Sequence, residues 1–146
     1  MATIRPLRTE DIPAALALWQ GTSPVNSREI ESIAGLASFL DRNPECSQVA
    51  CDREVIVGVA ICGHDGRRGY LHHVGVLSAH RRRGLGHRLV EECLATLHAG
   101  AISRVHVQLK GDNADGLKFW KSLGCRVRKD TVLISLMMES EGRDDP

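Results

Sequence analysis

Two hydrophobic periods divide this 146-residue chain. In some stretches apolar residues recur every three or four positions, as on one face of a helix; in others they alternate with polar residues, as in a half-buried strand. Thr3 to Leu7 predicts a short first strand, with Pro6 tolerable at a sheet edge. Thr9 then caps a helix with Glu10 and Asp11 in its first turn and Ile12, Leu16 and Trp19 on its apolar face. Gly21 to Pro24 breaks that helix. A second helix, capped near Ser27, carries Ile30, Ile33, Ala34, Ala37 and Leu40 at helical spacing, and Asn43-Pro44 ends it. Strands follow at Gln48 to Cys51 and Val55 to Cys62. Between them lies the polar turn Asp52-Arg53-Glu54, which lacks the Asn-Gly or Asp-Gly of the strongest hairpins. Tyr70 to Val76 reads as a central strand. Leu85, Leu89, Cys93 and Leu97 mark a helix face that ends in a glycine cap at Gly100. Arg104 to Leu109 is a further strand. Asp112 or Asn113 caps a short helix to Leu123, stopped by Gly124, and Val127 to Met138 predicts one or two closing strands. The order β-α-α-β-β-β-α-β-α-β-β favours an α/β sheet with helices on both faces.

Composition narrows the function classes. The formal net charge of +1 gives nothing to draw the whole protein onto nucleic acid or an anionic membrane. No apolar run approaches membrane-spanning length, and the first residues show no signal-type hydrophobic region, so a cytoplasmic location is expected. The five cysteines, an odd number without Cys-x-x-Cys spacing, argue against a disulfide framework or a zinc site. Cys46, Cys51, Cys62, Cys93 and Cys125 read as small apolar fillers in a reducing compartment. The length suits one domain, residues 1–138, with a polar tail over 139–146.

The chemistry concentrates between the central strand and the helix that follows. The turn reads Arg81-Arg82-Arg83-Gly84-Leu85-Gly86. Glycines allow close backbone approach to a ligand, and a helix start offers N–H groups and a positive dipole end to an anion. The turn is not a P-loop, because no Gly-Lys-Ser/Thr is present. It is not a dinucleotide fingerprint either, because Leu89 stands where the third glycine belongs. What remains is Arg81-x-x-Gly84-x-Gly86. It resembles the acyl-CoA-binding motif of the GNAT superfamily of N-acetyltransferases. The resemblance continues through Asp112-Asn113 and Leu117 to Gly124, and is looser over the first fifty residues. It implies a mixed sheet whose fourth and fifth strands splay apart around a pantetheine arm, with acetyl-CoA as cosubstrate and no metal.

On that resemblance, Val74, Gly75 and Val76 serve the cofactor through backbone atoms, with a bulge at Gly75. Arg81, Arg82, Arg83, Gly84, Leu85, Gly86 and His87 hold the pyrophosphate, Asn113 lies near the pantetheine, and Phe119 and Trp120 complete the cofactor-binding set. Many relatives place an acidic tyrosine where this chain has Trp120, whose indole only donates; the position of a glutamate in some relatives matches Gln108. Histidine transfers protons near neutral pH. Tyr70 to Val76 is similar to the strand of arylalkylamine N-acetyltransferases, which carries two histidines at the positions of Tyr70 and His72, and that resemblance implies His72 as the base, with Tyr70 beside it. His73 belongs to the candidate set but points to the opposite face in a regular strand. The expected reaction is direct attack of a primary amine, small-molecule or peptide, on the acetyl group. A CoA-binding sensor without turnover is the alternative, motivated by Trp120 and Gln108. A nucleic-acid module built on the arginine run is weaker still, since no aromatics interleave with it. Neither nucleic acid nor membrane is an expected partner, and a homodimer is left open.

Overall fold

A computed structural model describes residues 2–22 and 32–138. The expected cap at Ser27, Ile30 and the tail over 139–146 lie outside the described residues. The chain divides into two compact units, Met1–Gln108 and Leu109–Pro146.

In the first unit, β1 (Thr3–Pro6) leads through a 3-10 turn (Thr9–Asp11) into α1 (Ile12–Thr22). Then come α2 (Ile33–Arg42), β2 (Gln48–Asp52), β3 (Val55–His64) and β4 (Gly69–Val76). After a second 3-10 turn (Ser78–His80) follow α3 (Leu85–Ala99) and β5 (Val105–Val107). The strands form one sheet in the order β1-β2-β3-β4-β5. Only the β4–β5 pair is parallel; the other neighbours are antiparallel. Pro6 indeed sits on an edge strand, where a missing N–H disturbs the ladder least.

Each face of the sheet has its own cover. Ile12, Ala15, Leu18 and Trp19 of α1 and Leu36 of α2 pack with Val49, Cys51, Val59 and Ile61. On the other face α3 buries Leu85, Leu89, Val90, Cys93 and Leu97. Full burial of each such aliphatic side chain stabilises the fold by about 2 kcal/mol. A glycine makes the close approach possible: a Cβ on Gly69 would sit 2.7 Å from Leu97 Cδ1.

Several local expectations are corrected. Thr9 is not the cap of the first helix. The chain turns in at Arg8, whose N–H donates to the Asp11 carboxylate at 2.8 Å. The second helix is capped by Ser32, whose Oγ accepts from Gly35 N at 2.9 Å. Gly100 ends α3 but keeps φ at −89°, and Ala101 takes the left-handed turn at φ 66°. Bonds from Ala101 N to His98 O and from Ile102 N to Leu97 O close that end. Four cysteines are buried as expected, but Cys125 is exposed. All five cysteines are free thiols, and hydrogen bonding to Cys62, with burial, pushes the Cys46 thiol up.

The second unit contains α4 (Ala114–Ser122), capped by Asn113, whose Oδ1 accepts from Gly116 N at 2.9 Å. Gly124 stops the helix with φ 92°, and Trp120 is buried. No strand forms over 125–138, against the expectation of one or two. Val132, Leu133, Ile134, Leu136 and Met138 are instead 71–85% exposed. The run has the composition of a strand, but a strand is made by its partner, not by propensity alone.

Candidate active site

The candidate site forms where β4 loses its neighbour. β5 pairs with Gly69, Tyr70 and Leu71 and no further, so Val74, Gly75 and Val76 run on past the end of that ladder. The ladder stops there because β5 itself ends at Val107. Beyond the ladder the backbone of β4 turns N–H and C=O groups towards the opening, where an extended amide ligand could pair with them.

An irregularity sits at the same point. Ile61 pairs with His73 while Cys62 pairs with Leu71, so His72 is the extra residue of a bulge in β4. The bulge lies at His72 and not at Gly75, which pairs regularly with Val59. It changes which way the side chains point. Tyr70 and His72 stack with ring centroids 5.9 Å apart, and Phe39 of α2 meets His72 edge-on at 5.6 Å. His73 reaches Trp19 of α1 at 4.8 Å. Both histidines thus face the side covered by α1 and α2, against the expectation that they point apart. An inserted residue restores to one face what strict alternation would separate.

His106 joins this cluster, and the sequence reading did not single it out. It stands opposite Tyr70 in the parallel register, with rings 5.7 Å apart. The alternation Val105-His106-Val107 gave a signal, but only strand order could show which residue it faces. Phe39 was missed for the same reason. Gln108 falls outside the β5 ladder, which is shorter than the expected strand.

The turn after β4 is built to present backbone. Leu77 N donates to Val57 O at 2.9 Å, carrying the strand one residue further. Arg81 Nε donates to Val76 O at 2.9 Å and ties the turn to the strand end, using one of the guanidinium's five donors. Arg82 and Gly84 both have positive φ, 64° and 76°. For a non-glycine residue that conformation costs about 1 kcal/mol. Gly84 is the N-cap of α3 and has no side chain to satisfy the first turn. The first helical bond is Arg88 N to Gly84 O, so the N–H groups of Leu85 and Gly86 precede the helical pattern. With the exposed side chains of Arg81, Arg82, Arg83 and His87 around it, this helix start suits a phosphate group in both charge and donors.

The remaining candidates belong to the second unit. Asn113 caps α4 through its side-chain oxygen, and Phe119 and Trp120 meet edge-on at 5.0 Å. Among the described residues no group of three or more His, Cys, Asp or Glu side chains could hold a metal ion.

Known proteins share this architecture. The chain is 26% identical over 97 residues to N-alpha-acetyltransferase 30 of Schizosaccharomyces pombe, covering 62% of this chain and 65% of that protein. It is 30% identical over 91 residues to N-alpha-acetyltransferase 30 of Xenopus laevis, covering 59% and 33%. It thus spans less than two thirds of either relative. The crystal structure of Ard1 from Thermoplasma volcanium superposes with a TM-score of 0.75 at 22% identity, covering 84% of this chain and 81% of that one. The model of the Acetyltransferase (GNAT) family matches residues 12–125, and the chain belongs to that family.

Proposed function

We propose that this protein is an acetyl-CoA-dependent N-acetyltransferase that moves an acetyl group to an amine by direct attack. One observation carries the reading: the opened edge of β4 runs straight into a glycine-capped helix start. An extended amide chain ending in a pyrophosphate needs strand-like backbone partners along its length and a cluster of N–H donors at its end. Val74 to Val76 supply the first, and Gly84 to His87 with Arg81 to Arg83 the second.

An amine acceptor is mostly protonated at neutral pH and must lose a proton to attack. His72 is the base of this proposal. Its ring stacks on Tyr70, and Tyr70 in turn meets His106, so the base stands in a cluster of polar rings. A backbone N–H near Val76 polarises the acetyl carbonyl. Trp120 supplies no acid, so the leaving thiolate takes its proton from water or from Tyr70.

The names of the two curated relatives make the α-amino group of a peptide the acceptor to test first. Purified protein, acetyl-CoA and a panel of peptides, amino acids, polyamines and aminoglycosides would be followed by free-thiol release and by product mass. Acetylation of at least one amine is the expected result. CoA binding without transfer to any member would favour the sensor.

A further inference from the structure

The strained turn that presents Gly84 and Gly86 needs an anchor on its free side. One end is fixed by Arg81 Nε on Val76 O. The other hold comes from across the sheet. His80 Nε2 lies 3.2 Å from Asp52 Oδ2, linking the 3-10 turn before Arg81 to the β2–β3 hairpin. The topology brings the two together. Gly58 of β3 pairs with Val76 of β4, so the hairpin at the start of β3 projects beside the exit of β4.

We propose that Asp52 and His80 are a positioning pair for the turn Arg81 to Gly86, setting the conformation in which its backbone N–H groups converge; the inference rests on that turn being the pyrophosphate site. Three further observations support it. His80 Nδ1 is buried with no hydrogen-bond partner, so the ring is oriented for Asp52 at the expense of its other nitrogen. The hairpin that carries Asp52 turns through Arg53 and Glu54 with φ 52° and 67°, a conformation that Asn-Gly would adopt far more readily. The tertiary tie keeps a turn there that local preference does not. Finally, Asp52 and His80 line an open cleft of about 400 Å³ with Arg53, Val55 and Val57. Truncating either partner therefore removes the tie without leaving a void in the core.

The test combines a double-mutant cycle with backbone exchange. Asp52→Ala, His80→Ala, the double variant and His80→Gln, which keeps an N–H donor, are compared in the intact protein. In Asp52→Ala and His80→Ala the amides of Arg82 to Gly86 should exchange faster without ligand. The dissociation constant for CoA should rise roughly three- to thirty-fold, with the double variant no worse than the worse single one. The kinetic loss should fall on KM for acetyl-CoA more than on kcat, and His80→Gln should recover most of it. Unchanged exchange in the turn would overturn the proposal, as would losses that add in full in the double variant. Wild-type protein that fails to bind CoA would refute the functional reading instead; the exchange result would still decide whether the pair holds the turn.

Discussion

His72 and His73 are neighbours in sequence, yet their rings meet Phe39 and Trp19, both on the side of β4 covered by α1 and α2. Their roles are separated by what they touch rather than by which face they occupy. His72 is the more exposed and stacks on Tyr70, whereas His73 packs on a tryptophan that is 1% exposed. His72→Ala should lower kcat roughly ten- to ten-thousand-fold with little change in CoA affinity. His73→Ala should show mainly in stability, by about 1–2 kcal/mol, because it loses an aromatic contact. Steady-state kinetics beside thermal melting would separate the two, and equal kinetic losses would contradict the assignment. A second residue-scale prediction concerns acid. The Arg5 guanidinium donates to both Asp11 oxygens at 2.7 and 3.0 Å and, against the effect of burial and with help from Arg8 N, holds that carboxyl below the usual aspartate value. A carboxyl lowered on folding contributes stability that is complete above the unfolded value of about 3.9 and is lost as pH falls through the folded one. Asp11→Asn should therefore be less stable than wild type at pH 6, by about 1–2 kcal/mol, with the gap narrowing below about pH 4. Urea unfolding at both pH values measures it.

At the scale of elements, the hydrophobic periods located the apolar faces of α1 and α3, and strands β2 to β4 to within two residues. Leu85, Leu89, Cys93 and Leu97 are all buried, as their spacing requires. What periodicity could not carry was pairing. The bulge at His72 exists because β3 and β4 change register between Ile61 and Cys62, which is a property of two strands. The segment 127–138 fails for the complementary reason: it has strand composition without a ladder. Capping was legible at Asn113 and at the Gly124 stop, and was missed at Ser32, whose side chain caps α2. Gly100 looked like the left-handed residue, but Ala101 holds φ 66°. Ala101→Gly should thus stabilise the protein by roughly 0.5–1 kcal/mol, since glycine loses nothing sterically there. A lower melting temperature for that variant would show that Ala101 does not occupy the left-handed region.

For the whole molecule, the R-x-x-G-x-G turn was the most legible feature. Its residues are contiguous, so local sequence sufficed to place a glycine-bearing turn at the start of α3. The aromatic and histidine cluster of Phe39, Tyr70, His72 and His106 was less so, because it joins α2, β4 and β5. Val132, Leu133, Ile134, Leu136 and Met138 form a run of exposed large hydrophobic residues. Exposed apolar patches of several hundred Å² commonly serve as interaction sites, which makes this run a place to test for self-association. Ile134→Lys with Leu136→Lys should lower self-association in sedimentation, and an unchanged distribution would show that the run is not an interface.

Calorimetric titration of acetyl-CoA into wild type and Gly86→Glu tests the central claim most directly. The substitution places a carboxylate and its side chain in the first turn of α3, where the pyrophosphate is assigned. Wild type should bind, and Gly86→Glu should lose the heat of binding while melting within a few degrees of wild type in the absence of ligand. Equal affinity in the two proteins would contradict the account, since the anion would then not be held at the start of α3.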